Sequence, residues 1–221
     1  MVPVSVEQAR FNMIEQQIRP WEVLDQRVLN LFIEVPREEF VPTPYRNLAF
    51  VDVNIPLAHD QVMMTPNLEG RLLQALMLSP RDTVLEIGTG SGYLTALLAR
   101  SARHVDSVDI FEDFVKTAED KLKALNINNV SLNTGDAING WNMDVRYDVI
   151  VLTGSVPSLK PSFQQQLNEG GCLFAIVGEE PIMQAVLINR INEKEWDREV
   201  LFETSLPPLL GAPGRKSRFV F

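Results

Sequence analysis

Thr83-Val84-Leu85-Glu86-Ile87-Gly88-Thr89-Gly90-Ser91-Gly92-Tyr93 is the stretch on which the fold turns. A short apolar run ends in three alternating glycines, and Leu94, Leu97 and Leu98 then recur at helical spacing. Strand, glycine turn and helix in that order open a βαβ unit, because glycine allows both the tight reversal and the close approach of a ligand to the backbone. In an open α/β sheet ligands bind outside the carboxyl ends of the strands, so a small ligand is expected here. The spacing narrows its chemistry. A dinucleotide fingerprint needs glycine at its sixth position, where this chain has Tyr93, and no Gly-Lys-Ser/Thr follows to make a phosphate loop. NAD and ATP are both disfavoured.

Downstream, strand and helix patterns alternate. His104 to Ile110 is strand-like, and Phe111, Phe114, Val115, Ala118, Leu122 and Leu125 follow a 3.6-residue period. Val130 to Asn133, Asp148 to Thr153 and Cys172 to Val177 read as further strands, with a helix between Pro161 and Leu167 and a turn at Gly170-Gly171. Gln184 to Asn189 and Arg198 to Thr204 read as later, more antiparallel strands. Such alternation implies right-handed crossovers, so the expected fold class is α/β, with a doubly wound, mainly parallel sheet. Upstream, Val4 to about Leu31 gives two short helices interrupted at Pro20. Val35 to Pro44 holds three prolines, and Pro56 and Pro66 follow, so a long structured loop or cover is expected there rather than continuous helix. Residues 1–79 are expected to belong to one domain with the core, 80–221.

Composition sets outer limits. A chain of 221 residues with 45% hydrophobic and 22% charged residues suits one globular domain. It holds no apolar run near the roughly 20 residues of a membrane-spanning helix. Glu7 and Arg10 interrupt the first segment before an apolar signal core can form, which favours a cytoplasmic protein. The single cysteine, Cys172, leaves no internal disulfide, and two histidines offer little for a zinc site, so no metal is expected. A net charge of -9 opposes general nucleic-acid binding, and Arg215, Lys216 and Arg218 read as a solvated turn.

Two acids complete the ligand site. Asp109 ends the second strand 21 positions beyond Gly88, where a carboxylate accepts hydrogen bonds from ribose hydroxyls. After the third strand, Thr134-Gly135-Asp136-Ala137 brings a second acid suited to an exocyclic adenine amine. Three consecutive strand ends therefore suit an adenosyl ligand.

Glu86-Ile87-Gly88-Thr89-Gly90-Ser91-Gly92 with Asp109 and Gly135-Asp136 resembles the class I S-adenosylmethionine-dependent methyltransferases. Gln17-Ile18, Asp25-Gln26-Arg27-Val28-Leu29, Val35-Pro36-Arg37-Glu38-Glu39-Phe40-Val41-Pro42, Ala49-Phe50-Val51-Asp52, Pro56-Leu57-Ala58-His59-Asp60-Gln61 and Gly135 to Trp141 resemble, more narrowly, protein-L-isoaspartate O-methyltransferases. The likeness runs from about Asn12 to Gly178 and resumes at Leu206 to Gly211. It implies S-adenosyl-L-methionine as cofactor, held by Glu86, Gly88, Thr89, Gly90, Gly92, Asp109, Ile110, Asp136, Ala137 and Thr153. It also implies an isoaspartyl protein or peptide as methyl acceptor, met by His59, Val62, Met63, Met64, Thr65, Pro208 and Leu210. Neither a nucleic acid nor a membrane is an expected partner.

The reaction so implied needs no general base, because a carboxylate whose ordinary pKa is near 4 is already ionised at neutral pH. No catalytic residue in the acid/base sense is expected. The chain departs from the family where Thr-Ile-Ser-Gln-Pro becomes Val62-Met63-Met64-Thr65-Pro66, so both hydroxyls of that motif are absent, and Asp60 replaces a glycine. Two other readings follow from this departure: a less charged acceptor, including a small molecule, walled by Val62, Met63 and Met64, or a cofactor-binding homologue without turnover. Thr65, one position later, offers a substitute hydroxyl. His104 is expected to be structural, Cys172 a small buried hydrophobe, and Trp141 either an adenine neighbour or core packing.

Overall fold

The computed structural model describes residues 5–212, so Arg215, Lys216 and Arg218 lie outside the described chain. The N-terminal part begins with α1 (Val6–Met13), capped by the Ser5 hydroxyl, which accepts from the Gln8 N–H. A wider helical turn over Ile14–Ile18 and a tight one over Arg19–Trp21 carry the chain past Pro20. In α2 (Gln26–Glu34) the apolar positions Val28, Leu29, Leu31 and Phe32 are buried, and Asp25 caps the helix by accepting from the Arg27 N–H at 2.9 Å. One helical turn, α3 (Arg37–Phe40), and a tight turn over Thr43–Leu48 follow. Then β1 (Ile55–Pro56) and β2 (Val62–Met63) form a small antiparallel hairpin.

Beyond the hairpin the expectation of a proline-rich loop is overturned, because α4 (Pro66–Leu76) starts at the last of those prolines. Proline fits the first helical position, where its missing N–H would have had no partner inside the helix. Thr65 supplies the cap, its Oγ1 accepting from the Leu68 N–H at 3.3 Å.

From there the strand–helix alternation is as expected: β3 (Thr83–Ile87), α5 (Tyr93–Ser101), β4 (His104–Asp109), α6 (Glu112–Ala124), β5 (Val130–Thr134), β6 (Tyr147–Val156), α7 (Pro161–Gln165), β7 (Leu167–Glu179), β8 (Ile182–Arg190) and β9 (Trp196–Thr204). These strands form one seven-stranded sheet in the order β5-β4-β3-β6-β7-β8-β9. The first four junctions are parallel and the last two antiparallel. The expected turn at Gly170-Gly171 is instead a bulge within β7, since Tyr147 pairs with Leu167 and Val149 with Cys172.

Alternate residues point to opposite faces of each strand. Val84, Val105, Val149 and Phe174 share one core with the N-terminal helices, while Leu85, Ile150, Leu173 and Val186 join a second core with Phe163. Crossovers leave β3 toward β4 on one side, and β6 returns on the other, so the topological switch point lies between β3 and β6. No helix among the described residues is long and apolar enough to cross a membrane.

Candidate cofactor and acceptor site

At the switch point the glycine turn is fixed by its neighbours. Gly88 has φ +99°, a conformation that favours glycine, and a side chain there would fall on the Thr153 hydroxyl. That hydroxyl donates to the carbonyls of Ile87 and Gly88 at 2.9 and 2.7 Å, so β6 braces the turn from below. The Gly88 N–H donates to the Val108 carbonyl at 2.8 Å, and the Gly135 N–H to the Asp109 carbonyl at 2.9 Å. Three strand ends are thus tied together by backbone bonds before any ligand arrives.

Asp109 is only 7% exposed. One of its carboxylate oxygens accepts from the Gly90 N–H at 2.8 Å and the other from the Phe111 N–H at 3.0 Å. Burial pushes its pKa up, against the pull of those hydrogen bonds. Asp136 accepts from the Ile138 N–H at 2.9 Å, which sets its side chain at the mouth of the third strand end. Its loop is shaped by Trp141, whose ring packs where a Gly135 side chain would stand. Gln166 holds that loop from behind: its Nε2 donates to the Trp141 carbonyl at 2.5 Å, and its Oε1 accepts from the Trp141 N–H at 3.1 Å. Nothing in the sequence pattern pointed to Gln166, which sits 25 residues from the tryptophan it anchors.

Glu86 lies beneath the turn, fully buried. Its Oε2 accepts from the hydroxyls of Thr95 at 2.5 Å and Ser107 at 2.6 Å, and Thr89 Oγ1 lies 2.6 Å from the same Ser107 hydroxyl. Burial pushes the Glu86 carboxyl up to about 8, although both hydroxyls oppose the shift. Its Oε1 has no partner among the described residues, an acceptor left over at the base of the turn.

The cleft is lined by Gly88, Gly90, Asp109, Ile110, Asp136, Ala137 and Thr153 of the expected cofactor set, together with Phe111 and Phe114. Glu86, Thr89 and Gly92 support the turn from outside this lining. No Lys or Arg lines it among the described residues. Two carboxylates and apolar side chains suit a ligand that is cationic and rich in hydroxyl and amine donors.

On the acceptor side two segments far apart in sequence close the same cleft. Gln61 and Val62 come from the hairpin, and Leu206 to Leu210, including Pro208 and Leu210, from the C-terminal segment. The latter is stitched to the end of β6: Ser155 N–H donates to the Pro207 carbonyl at 3.0 Å, Ser155 Oγ to the Leu206 carbonyl at 2.7 Å, and Leu209 N–H to the Ser155 carbonyl at 2.9 Å.

Met63 and Met64 do not line the cleft; both are buried in the core of the N-terminal helices. Thr65 is committed to its cap on α4. The Met64 carbonyl accepts from Arg37 at 2.6 Å, and Arg37, itself fully buried, pairs with Glu69 and lies over the Tyr93 ring at 4.8 Å. Burial pushes Glu69 up to about 7, Arg37 opposing it. His59 stands at the hairpin tip with its ring on Phe111. His104 bonds Asp106 and Ser131 away from the cleft, and burial raises the Cys172 thiol to about 12, which leaves it a poor nucleophile.

A family model, Protein-L-isoaspartate(D-aspartate) O-methyltransferase, matches residues 8–211. A protein-L-isoaspartate O-methyltransferase of Rhodopseudomonas palustris is 38% identical over 203 residues, covering 91% of this chain and 93% of that protein. Among solved structures, a beta-aspartate methyltransferase from Plasmodium falciparum in complex with S-adenosyl-L-homocysteine superposes with a TM-score of 0.77 at 20% identity, covering 90% of this chain and 96% of that one. A second, a protein-L-isoaspartate O-methyltransferase, gives 0.77 at 24% identity, covering 91% of this chain and 66% of that one.

Proposed function

The chain belongs to the protein-L-isoaspartate O-methyltransferase family, and from that premise we propose that it transfers a methyl group to the α-carboxylate of isoaspartyl residues in proteins or peptides. The observation that carries this reading is the pair Asp109 and Asp136, facing one cleft at the switch point of the sheet that no Lys or Arg lines among the described residues. S-adenosyl-L-methionine supplies, when bound, a methyl group on a positively charged sulfur that leaves as a neutral thioether. Asp109 has lone pairs beyond those used by Gly90 and Phe111, and these are assigned to the ribose hydroxyls. Asp136 is assigned to the adenine amine, Ile110 and Ala137 to the faces of the base, and Gly88, Gly90 and Thr153 to the methionine end, with Glu86, Thr89 and Gly92 holding the turn beneath them.

The acceptor arrives already ionised, so no side chain has to remove a proton. What remains for the protein is to hold the carboxylate in line with the methyl group and to keep water out, which is where proximity and desolvation act. Val62, Pro208 and Leu210 form apolar walls suited to that exclusion, and His59, Met63, Met64 and Thr65 set the course of the segment that carries Val62.

Purified protein incubated with methyl-labelled cofactor and an isoaspartyl peptide is expected to label that peptide and leave its aspartyl counterpart unlabelled. One observation favours a second reading, a less charged acceptor: the acceptor wall carries neither a free side-chain hydroxyl nor a cation among the described residues. Cofactor binding without label on the isoaspartyl peptide would leave this reading and that of a cofactor-binding homologue without turnover. Val62→Thr, by returning a hydroxyl at the one position of the motif that lines the cleft, would then show whether that position accounts for the change.

A further inference from the structure

The tip of the β1–β2 hairpin is built in a way its sequence disfavours. The Gln61 N–H donates to the Ala58 carbonyl at 3.1 Å and the Leu57 N–H to the Gln61 carbonyl at 2.8 Å, which closes a two-residue turn. Both turn residues, His59 at φ +57° and Asp60 at φ +55°, are left-handed. That turn favours Asn-Gly, and non-glycine residues hold it only where their surroundings compensate. The compensation is visible at His59. Its ring lies parallel to Phe111, with centroids 3.9 Å apart and 6° between planes, and meets the edge of Phe114 at 5.5 Å. Its Nε2 is 3.0 Å from both carboxylate oxygens of Asp113, and its carbonyl accepts from Gln61 Nε2 at 2.8 Å.

These contacts join the two sides of the cleft. Phe111 and Phe114 line the cofactor side, and Gln61 and Val62, directly after the turn, line the acceptor side. The other arm of the hairpin reaches the glycine turn, where Leu57 would lie 3.5 Å from a side chain on Gly90. The hairpin therefore spans from Gly90 to Phe111, the two residues whose N–H groups hold the Asp109 carboxylate. Resting on the cofactor assignment above, we infer that His59 is a positioning residue: its clasp on Phe111 and Asp113 holds the acceptor hairpin closed over the ribose site. It thereby sets how fast cofactor and demethylated product leave, and it keeps Val62 against the reacting end. The clasp lies outside the bonds that hold the cofactor itself, and Asp113 lowers its own cost of ionisation by it, the His59 hydrogen bond holding its carboxyl below the usual range.

The test is the dissociation rate of S-adenosyl-L-homocysteine, measured by stopped flow on the full chain, with the melting temperature recorded in parallel. His59→Ala is expected to raise that rate about tenfold, the combined worth of an aromatic stack and a solvent-exposed contact with a carboxylate. The melting temperature of the unliganded protein should change little, since the side chain is partly exposed. His59→Phe keeps the stack and should recover part of the retention. Asp113→Asn should speed release in the wild-type background and add nothing to His59→Ala. A rate for His59→Ala within twofold of wild type, or full additivity of the two substitutions, overturns the clasp. Failure of the wild-type chain to bind S-adenosyl-L-homocysteine at all would instead overturn the cofactor assignment on which it rests.

Discussion

The two halves of the cleft hold their residues by different means. On the cofactor side, Gly88, Asp109 and Asp136 sit at consecutive strand ends, and backbone bonds such as Gly88 to Val108 and Gly135 to Asp109 fix them as part of the sheet itself. On the acceptor side, Val62 and Leu206 to Leu210 come from segments far apart in the chain; two backbone bonds tie the second to Ser155, but the rest of the positioning falls to single side chains: Arg37 on Met64, Ser155 on Leu206 and His59 on Phe111. A site held by strand order tolerates changes nearby, because the sheet is over-determined. A site held by individual side chains depends on each of them. The cofactor half should thus be robust and the acceptor half tunable.

The largest effect that could break this comparison lies at Arg37. Arg37→Met leaves Glu69 buried without its cation, and removal of one partner of a buried pair costs about 3–5 kcal/mol. Urea denaturation should show a loss of that order, and a change below about 1 kcal/mol would mean that the acceptor segment does not depend on this pair. On the cofactor side, Asp109→Ala removes acceptors of the charged kind, each worth about 1.5–3 kcal/mol. Calorimetry with S-adenosyl-L-homocysteine should show binding weakened on the order of 100-fold, while the sheet stays folded.

A pH scan sharpens the contrast further. Glu86 has its folded pKa raised from 4.5 to about 8, so the folded state holds a proton that the unfolded chain releases. Its contribution is therefore fully present below about 4.5 and is lost as pH rises toward 8, at up to about 1.4 kcal/mol per pH unit. Glu69, raised to about 7, acts with the same sign over a narrower window. Denaturant midpoints for Glu86→Gln should fall less between pH 5 and pH 8 than those of the wild type; an unchanged slope would mean that Glu86 is ionised throughout. The smallest expected effect is at the hairpin tip. Asp60→Gly places the preferred residue in a left-handed position and should stabilise the fold by about 1 kcal/mol, detectable as a raised melting temperature.

Most of the cofactor side could be read from the chain because its determinants are local. The run Thr83 to Tyr93, the acid at Asp109 and the acid at Asp136 each lie at the end of a strand with a recognisable pattern, and parallel pairing brings successive strand ends together without further information. Harder to read was α4, since Pro66 looks like a breaker until Thr65 is seen to cap the first turn. Gln166, Ser155 and Arg37 carried no signal of their own, because their partners are 25, 51 and 27 residues away.

Periodicity and glycine spacing by themselves determined that this is a doubly wound sheet with an adenosyl-type site, because both follow from rules that act within a few residues. Only the tertiary structure decided that Met63 and Met64 turn into the core rather than the cleft, that Val62 faces it, and that His59 reaches Phe111 and Asp113. Those outcomes rest on packing and on hydrogen bonds between distant segments, which no local pattern encodes.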